Sequence, residues 1–191
     1  MYARLQGRCP SHPTGAWLSP GSAILLPMFC QSCGAPTEER LVEDRPRPVC
    51  TACGAVTYLD PKLAVAVVIE RAGLFLLGRR GEGTREAGKW GFPAGFVDRG
   101  EVVEGAAVRE AREEVGLDVT LGPLLALLSQ PGEPVVLAVY AAEATGEPVA
   151  GDDLTAIGWF PPEALPPLAF AHDRQILTAW HQWRAPRAIP S

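Results

Sequence analysis

The chain has 191 residues, a formal net charge of −5, 19 prolines and 20 glycines. That length supports one sizeable hydrophobic core plus a small appendage, and the longest apolar runs are too short to span a membrane. The negative charge argues against general electrostatic attraction to nucleic acid. If a protein this acidic acts on an anion, bound metal and a few local arginines must offset the negative charges.

Residues 1–27 show no hydrophobic periodicity and are broken up by proline and glycine, which predicts a disordered or non-native N-terminal extension. Their apolar patch at 23–26 is too short for the core of a secretory signal. A sharper hypothesis takes Met28 as the biological start, and an intact mass that includes the first 27 residues would contradict it. Without an export signal we expect a cytoplasmic protein, in which Cys9 is a free thiol.

Residues 28–58 carry two cysteine pairs with the spacing of metal knuckles. Cys30 and Cys33 form the first pair, Cys50 and Cys53 form the second, and a glycine follows each pair. Four such thiolates can surround Zn²⁺ tetrahedrally, and the glycines permit tight turns that point backbone amides at sulfur. Two disulfides, or an iron site of the rubredoxin type, are the alternatives. We predict a structural zinc ribbon, because about 25 residues cannot bury enough apolar surface to fold without a bound metal or another cross-link.

Residues 59–187 form the predicted second domain, which opens with two β-rich runs. Residues 63–69 and 74–77 are strand candidates, and the residues between them are typical of a hairpin turn. Arg79 and Arg80 follow the second run. They are candidate contacts to a substrate phosphate, with a solvated strand end as the alternative.

Residues 101–115 contain no proline and a single glycine, so they can form a helix of about four turns. Gly116 is placed to end that helix as a left-handed cap. Three carboxylates stand at positions i, i+3 and i+4 and share one face: Glu110, Glu113 and Glu114. A hard divalent cation such as Mg²⁺ suits this cluster, because it takes oxygen ligands and offsets their mutual repulsion. A solvated acidic face screened by neighbouring arginines is the alternative.

Residues 95–117 match the signature of the Nudix hydrolases at every fixed position: Gly95, Glu101, Arg109, Glu110, Glu113, Glu114 and Gly116. The chain therefore resembles that family. The cysteine knuckles upstream resemble its zinc-ribbon branch, which includes NADH pyrophosphatases and relatives that act on ADP-ribose or FAD.

The resemblance implies roles for these residues. Glu110, Glu113 and Glu114 would be catalytic and would ligate Mg²⁺ or Mn²⁺, with the Gly95 carbonyl as a further ligand. Glu101 and Arg109 would brace the motif, because anchoring a carboxylate fixes its geometry at a metal. Glu113 and Glu114 are the first candidates for the general base.

The expected fold is α+β: a Nudix fold, with a mixed β-sheet sandwiched between helices, and a small N-terminal zinc ribbon with four cysteine ligands before it. After the signature we predict three strands and a closing amphipathic helix, at residues 117–128, 134–142, 154–160 and 169–184. Asp152 and Asp153 precede the last strand, where some family members carry the general base. Turn chemistry is the favoured alternative for this pair, and Asp153 is kept as a candidate substrate contact. His172, in the closing helix, is assigned a structural role.

The resemblance implies hydrolysis of the diphosphate in a nucleoside diphosphate derivative, which releases a nucleoside monophosphate. ADP-ribose ranks first, ahead of FAD and NADH. Residues 129–131 begin like a longer aromatic and proline-rich motif of NADH pyrophosphatases, but the remainder is absent, which disfavours an NADH-specific enzyme. The alternatives are a housecleaning hydrolase of oxidised nucleotides and a non-catalytic nucleotide-sensing or binding module. We expect a small-molecule substrate, no membrane, no nucleic acid, and a homodimer by analogy.

Overall fold

The computed structural model describes residues 28–151 and 153–185. Four sequence predictions concern or depend on residues outside these ranges. They are the extension at 1–27, the choice of Met28 as the start, the state of Cys9 and the role of Asp152. The chain divides between Leu59 and Asp60 into two compact units, which are described separately. The domain limits of 28–58 and 59–187 stay a prediction.

The first unit is a cysteine-knuckle hairpin. Strands β1 (Thr37–Val42) and β2 (Arg45–Cys50) pair antiparallel. The two residues between them, Glu43 and Asp44, both have positive φ, of 53° and 59°. That is the conformation of a tight hairpin turn whose twist matches the twist of the strands. The hairpin brings the second cysteine pair, which begins at the end of β2, back to the first.

The second unit contains a mixed sheet. Its strands are β3 (Lys62–Arg71), β4 (Leu74–Arg80), β5 (Trp90–Gly91), β6 (Ala94–Phe96), β7 (Val119–Leu128), β8 (Val135–Ala144) and β9 (Leu154–Phe160). The strand order is β5-β4-β3-β8-β7, with β6 also on β3 and β9 also on β4. Strands β3 and β8 are parallel, and the other pairs are antiparallel. The predicted hairpin that joins residues 63–69 and 74–77 is confirmed, because β3 and β4 pair antiparallel.

Two α-helices cover the two faces of this sheet. Helix α1 (Val103–Val115) packs in a cluster that contains Val65, Val67, Ile69, Ala106, Ala107, Ala111 and Val115. Helix α2 (Ala171–Arg184) packs in a second cluster that contains Ala66, Val68, Phe75, Leu77, Ile176 and Trp180. Strand β3 supplies both clusters because successive side chains of a strand point to opposite faces. The predicted α+β architecture, a mixed sheet between helices, is confirmed. No helix in the described ranges has the length and apolar character needed to cross a membrane.

Both helices begin two residues later than predicted. Helix α1 starts at Val103 because Gly100 has φ of 87° and Val102 is extended, so residues before 103 form a turn. Helix α2 starts at Ala171 because Phe170 is extended and the Ala169 amide donates to the Trp90 carbonyl at 2.7 Å. These residues serve tertiary contacts that local helix propensity does not reveal. The end of α1 is as predicted, with Gly116 in the left-handed conformation at φ 67°.

The first turn of α2 contains a buried acid. Asp173 is 2% exposed, and its Oδ2 accepts a hydrogen bond from the Phe170 amide at 2.8 Å. Burial raises the pKa of Asp173 to about 6, because ionisation inside the protein loses hydration. The folded protein therefore binds a proton here at a pH where an unfolded chain does not.

We expect this acid to make the free energy of unfolding depend on pH. The folded pKa of about 6 lies above the ordinary Asp value of 3.8, so the stabilisation is fully present below about pH 4 and is lost as pH rises through about 6. In urea unfolding between pH 4 and 7, Asp173→Asn should flatten that part of the profile, whereas exposed Asp118→Asn should not. Identical profiles for wild type and Asp173→Asn would contradict the expectation.

Candidate active site and metal sites

Helix α1 carries two of its glutamates into the protein. Glu110 and Glu114 are 8% and 7% exposed, whereas the Glu113 side chain is 50% exposed. The Glu114 Oε2 atom accepts a hydrogen bond from the Ala94 amide of β6 at 2.9 Å. A merely solvated acidic face would leave all three carboxylates in water, so this alternative does not describe Glu110 and Glu114.

Gly95 lies directly beneath the Glu110 carboxylate. A Cβ atom at position 95 would clash with the carboxylate carbon and both oxygens of Glu110. Gly95 pairs with Val65 of β3, which fixes the backbone against the helix. The absence of a side chain at this position is what lets the glutamate approach the backbone of β6.

Arg109 connects the remaining parts of the signature. Its Nε and Nη2 bond the Glu101 carboxylate at 2.8 and 3.0 Å, and its Nη1 bonds Glu110 at 2.7 Å and Glu113 at 2.9 Å. Nη2 also donates to the Phe96 carbonyl at 3.0 Å. The Arg109 hydrogen bonds, followed by the Asp98 amide, lower the pKa of Glu101 to about 2, and the carboxylates raise the pKa of Arg109. The structure thus brings Glu101 and Arg109 together as predicted, while their bracing role stays a prediction.

The donor set around Gly95 suits a hard cation. Glu110 and Glu113 both bond the Arg109 Nη1 atom, Glu114 bonds the Ala94 amide, and Mg²⁺ and Mn²⁺ prefer carboxylate oxygen ligands. Metal ligation by these glutamates and by the Gly95 carbonyl stays a prediction. The glutamate oxygens are not as tightly gathered as the cysteine sulfurs. Within residues 28–151 and 153–185, the four cysteines are the one group of at least three metal-binding side chains whose ligand atoms lie within 4.8 Å of one another.

The four cysteines Cys30, Cys33, Cys50 and Cys53 meet at one point. Their Sγ atoms are separated by 3.7 Å (Cys30–Cys53), 3.4 Å (Cys33–Cys50) and 3.5 Å (Cys33–Cys53). A tetrahedral site with metal–sulfur bonds of about 2.3 Å has sulfur–sulfur edges of about 3.8 Å, so the separations fit a metal. All four are free thiols, so the disulfide alternative is wrong. Amides of residues 53 and 52 donate to the Cys50 sulfur and lower its pKa to about 6, which favours the thiolate that binds metal.

A cavity of about 380 Å³ lies beside the glutamates. Gly95, Phe96 and Glu114 contribute to its lining, together with Gln130 and Glu133 of the turn between β7 and β8. Further lining residues are Arg80, Arg85, Phe170, His172 and Asp173. Of the three predicted substrate contacts, Arg80 lines this cavity, whereas Arg79 and Asp153 do not.

Among the cavity residues that the sequence interpretation did not assign to a site are Arg85 and Phe170. Arg85 lies in a polar loop and Phe170 just before α2, so neither belongs to a motif. His172, assigned a structural role from the sequence, also lines the cavity. Its pKa is lowered first by burial and then by the charge of Arg85, which keeps the imidazole neutral at pH 7.

The segment before β9 is hydrogen-bonded to the C-terminal end of α1. The Gly151 amide donates to the Glu114 carbonyl at 3.0 Å, and the Val149 amide donates to the Val115 carbonyl at 3.0 Å. On its other side, the Asp153 carbonyl accepts from the Gly81 amide at 2.7 Å. These contacts place the backbone of Asp153 between the end of β4 and the glutamate helix.

The fold and the candidate site thus combine a mixed sheet between two helices, a glutamate-bearing helix over β6 and a separate cysteine knuckle unit. The NUDIX domain model matches residues 60–181, and a zinc-ribbon model described as Nudix N-terminal matches residues 28–59. The chain belongs to the Nudix hydrolase family, in the branch that carries the N-terminal ribbon.

Relatives with assigned activities include two enzymes that match 66% or more of this chain. An ADP-ribose pyrophosphatase of Methanocaldococcus jannaschii is 36% identical over 132 residues, which cover 66% of this chain and 77% of that protein. A NAD-capped RNA hydrolase NudC of Stutzerimonas stutzeri is 33% identical over 151 residues, covering 78% of this chain and 53% of that protein. The chain thus spans about half the length of the NudC protein.

Solved structures agree with the family. A NUDIX hydrolase from Nitrosomonas europaea is similar with a TM-score of 0.74 and 28% identity, covering 82% of this chain and 91% of that one.

Proposed function

We propose that this protein is a divalent-metal-dependent pyrophosphohydrolase that cleaves the diphosphate of a nucleoside diphosphate derivative and releases a nucleoside monophosphate. The observation that carries the proposal is the burial of Glu110 and Glu114 against β6, with Glu114 at the wall of a cavity. A solvated surface helix gains nothing from two buried carboxylates, whereas a bound divalent cation offsets the cost of burying them.

Each residue of the motif has a separate task in this proposal. Bound Mg²⁺ or Mn²⁺ would supply positive charge that offsets the charge of the diphosphate. The Ala94 amide orients the Glu114 carboxylate, and Arg109 orients Glu110 and Glu113. Glu114 lines the cavity and is therefore the first candidate to take the proton of the attacking water, with Glu113 the second.

ADP-ribose is the substrate we rank first. The M. jannaschii ADP-ribose pyrophosphatase is covered over 77% of its length, whereas the NudC relative is covered over only 53%. FAD and NADH remain further candidates. The NudC relatives suggest a further candidate substrate, RNA with a NAD-like group at its end. The net charge of −5 argues against binding of RNA.

We also propose Zn²⁺ as the metal of the cysteine site, with a structural role. The sulfur separations of 3.4 to 3.7 Å support a metal, and a site with four cysteine ligands leaves no open position for catalysis. Four cysteines that lie close together without a disulfide support a reducing compartment such as the cytoplasm. A homodimer rests on analogy with the family, and sedimentation equilibrium would test it.

A substrate panel tests the enzymatic proposal. Purified protein with Mg²⁺ or Mn²⁺ is offered ADP-ribose, NADH, NAD⁺, FAD, a diadenosine polyphosphate, oxidised dGTP and NAD-capped RNA. We expect ADP-ribose to yield AMP and ribose 5-phosphate, and omission of both Mg²⁺ and Mn²⁺, with the structural Zn²⁺ retained, to abolish the reaction. Glu114→Gln should lower the rate at least about 100-fold, because a positioned general base contributes that much or more. Exposed Glu104→Gln on the same helix is the control and should retain the rate.

Other outcomes assign other functions. Preferential cleavage of oxidised dGTP would identify a housecleaning hydrolase. Binding of a nucleotide without cleavage under any metal condition would identify a sensor and refute the enzymatic proposal.

A further inference from the structure

Two guanidinium groups converge on one aromatic ring at the wall of the cavity. The Arg80 guanidinium carbon lies 5.1 Å from the centroid of the Phe170 ring, and that of Arg85 lies 6.0 Å from it. All three residues line the cavity whose lining also includes Gly95 and Glu114. Stacking over an aromatic ring limits the orientations that a guanidinium can take.

The neighbouring groups hold this arrangement in place. The Arg80 Nε atom donates to the Arg85 carbonyl at 2.7 Å, which ties the end of β4 to the loop that follows it. The Phe170 ring stacks on His172 with centroids 5.0 Å apart and an interplanar angle of 17°. The Phe170 amide is held by buried Asp173. Ring and guanidinium groups are therefore pre-organised before any ligand arrives.

The two positive charges are not neutralised by an ion pair. In the part of the chain that the structure describes, no ion pair within 4.0 Å joins Arg80 or Arg85 to a carboxylate. Glu86, the acidic neighbour of Arg85 in sequence, is bonded to Lys89 instead. His172 is neutral at pH 7, whereas buried Asp173, whose pKa is about 6, carries a negative charge that acts on Arg80. Two guanidinium groups against one carboxylate leave this wall of the cavity with an excess of positive charge. Two like charges held close together favour binding of an anion between them.

We propose that Arg80 and Arg85, seated on Phe170, form a phosphate-binding subsite that acts without metal. The guanidinium fork matches the oxygens of a phosphate and bonds them in a bidentate manner. The cavity then carries a carboxylate region, suited to a metal, and a separate guanidinium region that contacts phosphate directly. The subsite rests on the proposed function for its substrate, a nucleotide, but its binding chemistry is independent of hydrolysis.

Binding in the absence of Mg²⁺ and Mn²⁺ tests the subsite. Titration calorimetry in buffer free of Mg²⁺ and Mn²⁺, with the structural Zn²⁺ left in place, compares AMP with adenosine on the full chain, so that the phosphate is the sole difference between the ligands. We expect wild type to prefer AMP, and Arg85→Gln to weaken AMP binding about 10- to 100-fold, the range for losing a charge-assisted hydrogen bond. Arg85→Lys should show a smaller loss, because the charge stays and the fork is removed. Arg174→Gln, an exposed arginine of α2 outside the cavity lining, is the charge-matched control and should bind as wild type does.

Either of two results would overturn the subsite. One is an Arg85→Gln variant that binds AMP as tightly as wild type, and the other is a wild type that does not prefer AMP over adenosine in buffer free of Mg²⁺ and Mn²⁺. Phe170→Leu adds a second criterion, since loss of the ring should weaken AMP binding while both charges remain. Failure of the enzymatic proposal is recognised separately. A protein that hydrolyses no substrate but still binds AMP through Arg85 keeps the subsite and loses the reaction.

Discussion

Gly95→Ala is expected to leave the protein folded and to lower hydrolysis of its preferred substrate at least about 100-fold, the loss that a displacement of about 1 Å can cause. The new methyl group would clash with the Glu110 carboxylate, which is the flexible end of a side chain and can swing away. The φ angle of Gly95 lies outside the positive range, so alanine fits the backbone. The substitution should therefore displace a proposed metal ligand without unfolding the sheet. Rates at saturating metal and urea unfolding curves measure the two effects.

Gly105→Ala is the matched control for this substitution. Gly105 lies within α1, and a Cβ there meets nothing closer than the Val102 Cβ at 3.9 Å. Alanine in a helix interior should raise the free energy of unfolding by about 0.5–1 kcal/mol and leave the rate unchanged. If Gly95→Ala also hydrolysed substrate at the wild-type rate, the position of the Glu110 carboxylate would not matter and the proposed metal ligation would be wrong.

Cys50→Ser is expected to unfold the cysteine unit. Cys50 is 1% exposed, and its sulfur accepts hydrogen bonds from the amides of residues 52 and 53. Structural Zn²⁺ sites contribute about 10 kcal/mol or more of apparent binding free energy, and this free energy supports folding. We expect the zinc content to fall from one ion per chain to less than a tenth. Amide hydrogen exchange in residues 30–58 should become fast, whereas the amides of β3 and β8 should keep their protection.

The control uses another cysteine of the same chain. Cys9→Ser removes a thiol outside the two knuckles and should leave one zinc ion per chain. Full zinc content and full exchange protection in Cys50→Ser would show that the unit folds without the fourth ligand, which would contradict a structural role for the metal.

Local patterns were sufficient to predict most of the second unit. The apolar run that became β3 is buried on both faces, as a strand that supplies two cores must be. Strand β9 has the predicted limits of 154–160. The Nudix signature was enough to predict the fold, because its helix, the cap at Gly116 and the spacing of its residues are all local features of the sequence. The cysteine cluster was predictable for the same reason, since the spacing of the knuckles determines which sulfurs meet.

The features that the sequence did not predict depend on contacts between residues that are distant in the chain. The sequence placed three glutamates on one helix face, but only packing against β6 decides that Glu110 and Glu114 are buried while Glu113 is not. The cluster of Arg80, Arg85 and Phe170 depends on a bridge between Trp90 and Leu168 that brings distant segments together. Hydrophobic periodicity contains no information about such a bridge.

The backbone contacts at Gly81 and Gly151 determine where this chain can accept sequence change. A Cβ at 81 would lie 2.7 Å from the Asp153 carbonyl, and one at 151 would clash with the Glu113 carbonyl. Both neighbours are main-chain atoms, which cannot rotate away as a side chain does. Libraries that aim to retarget the enzyme to new substrates should therefore keep these two glycines. Diversity is better placed in the loops at 82–87 and 130–133, which reach the cavity through Arg85, Gln130 and Glu133.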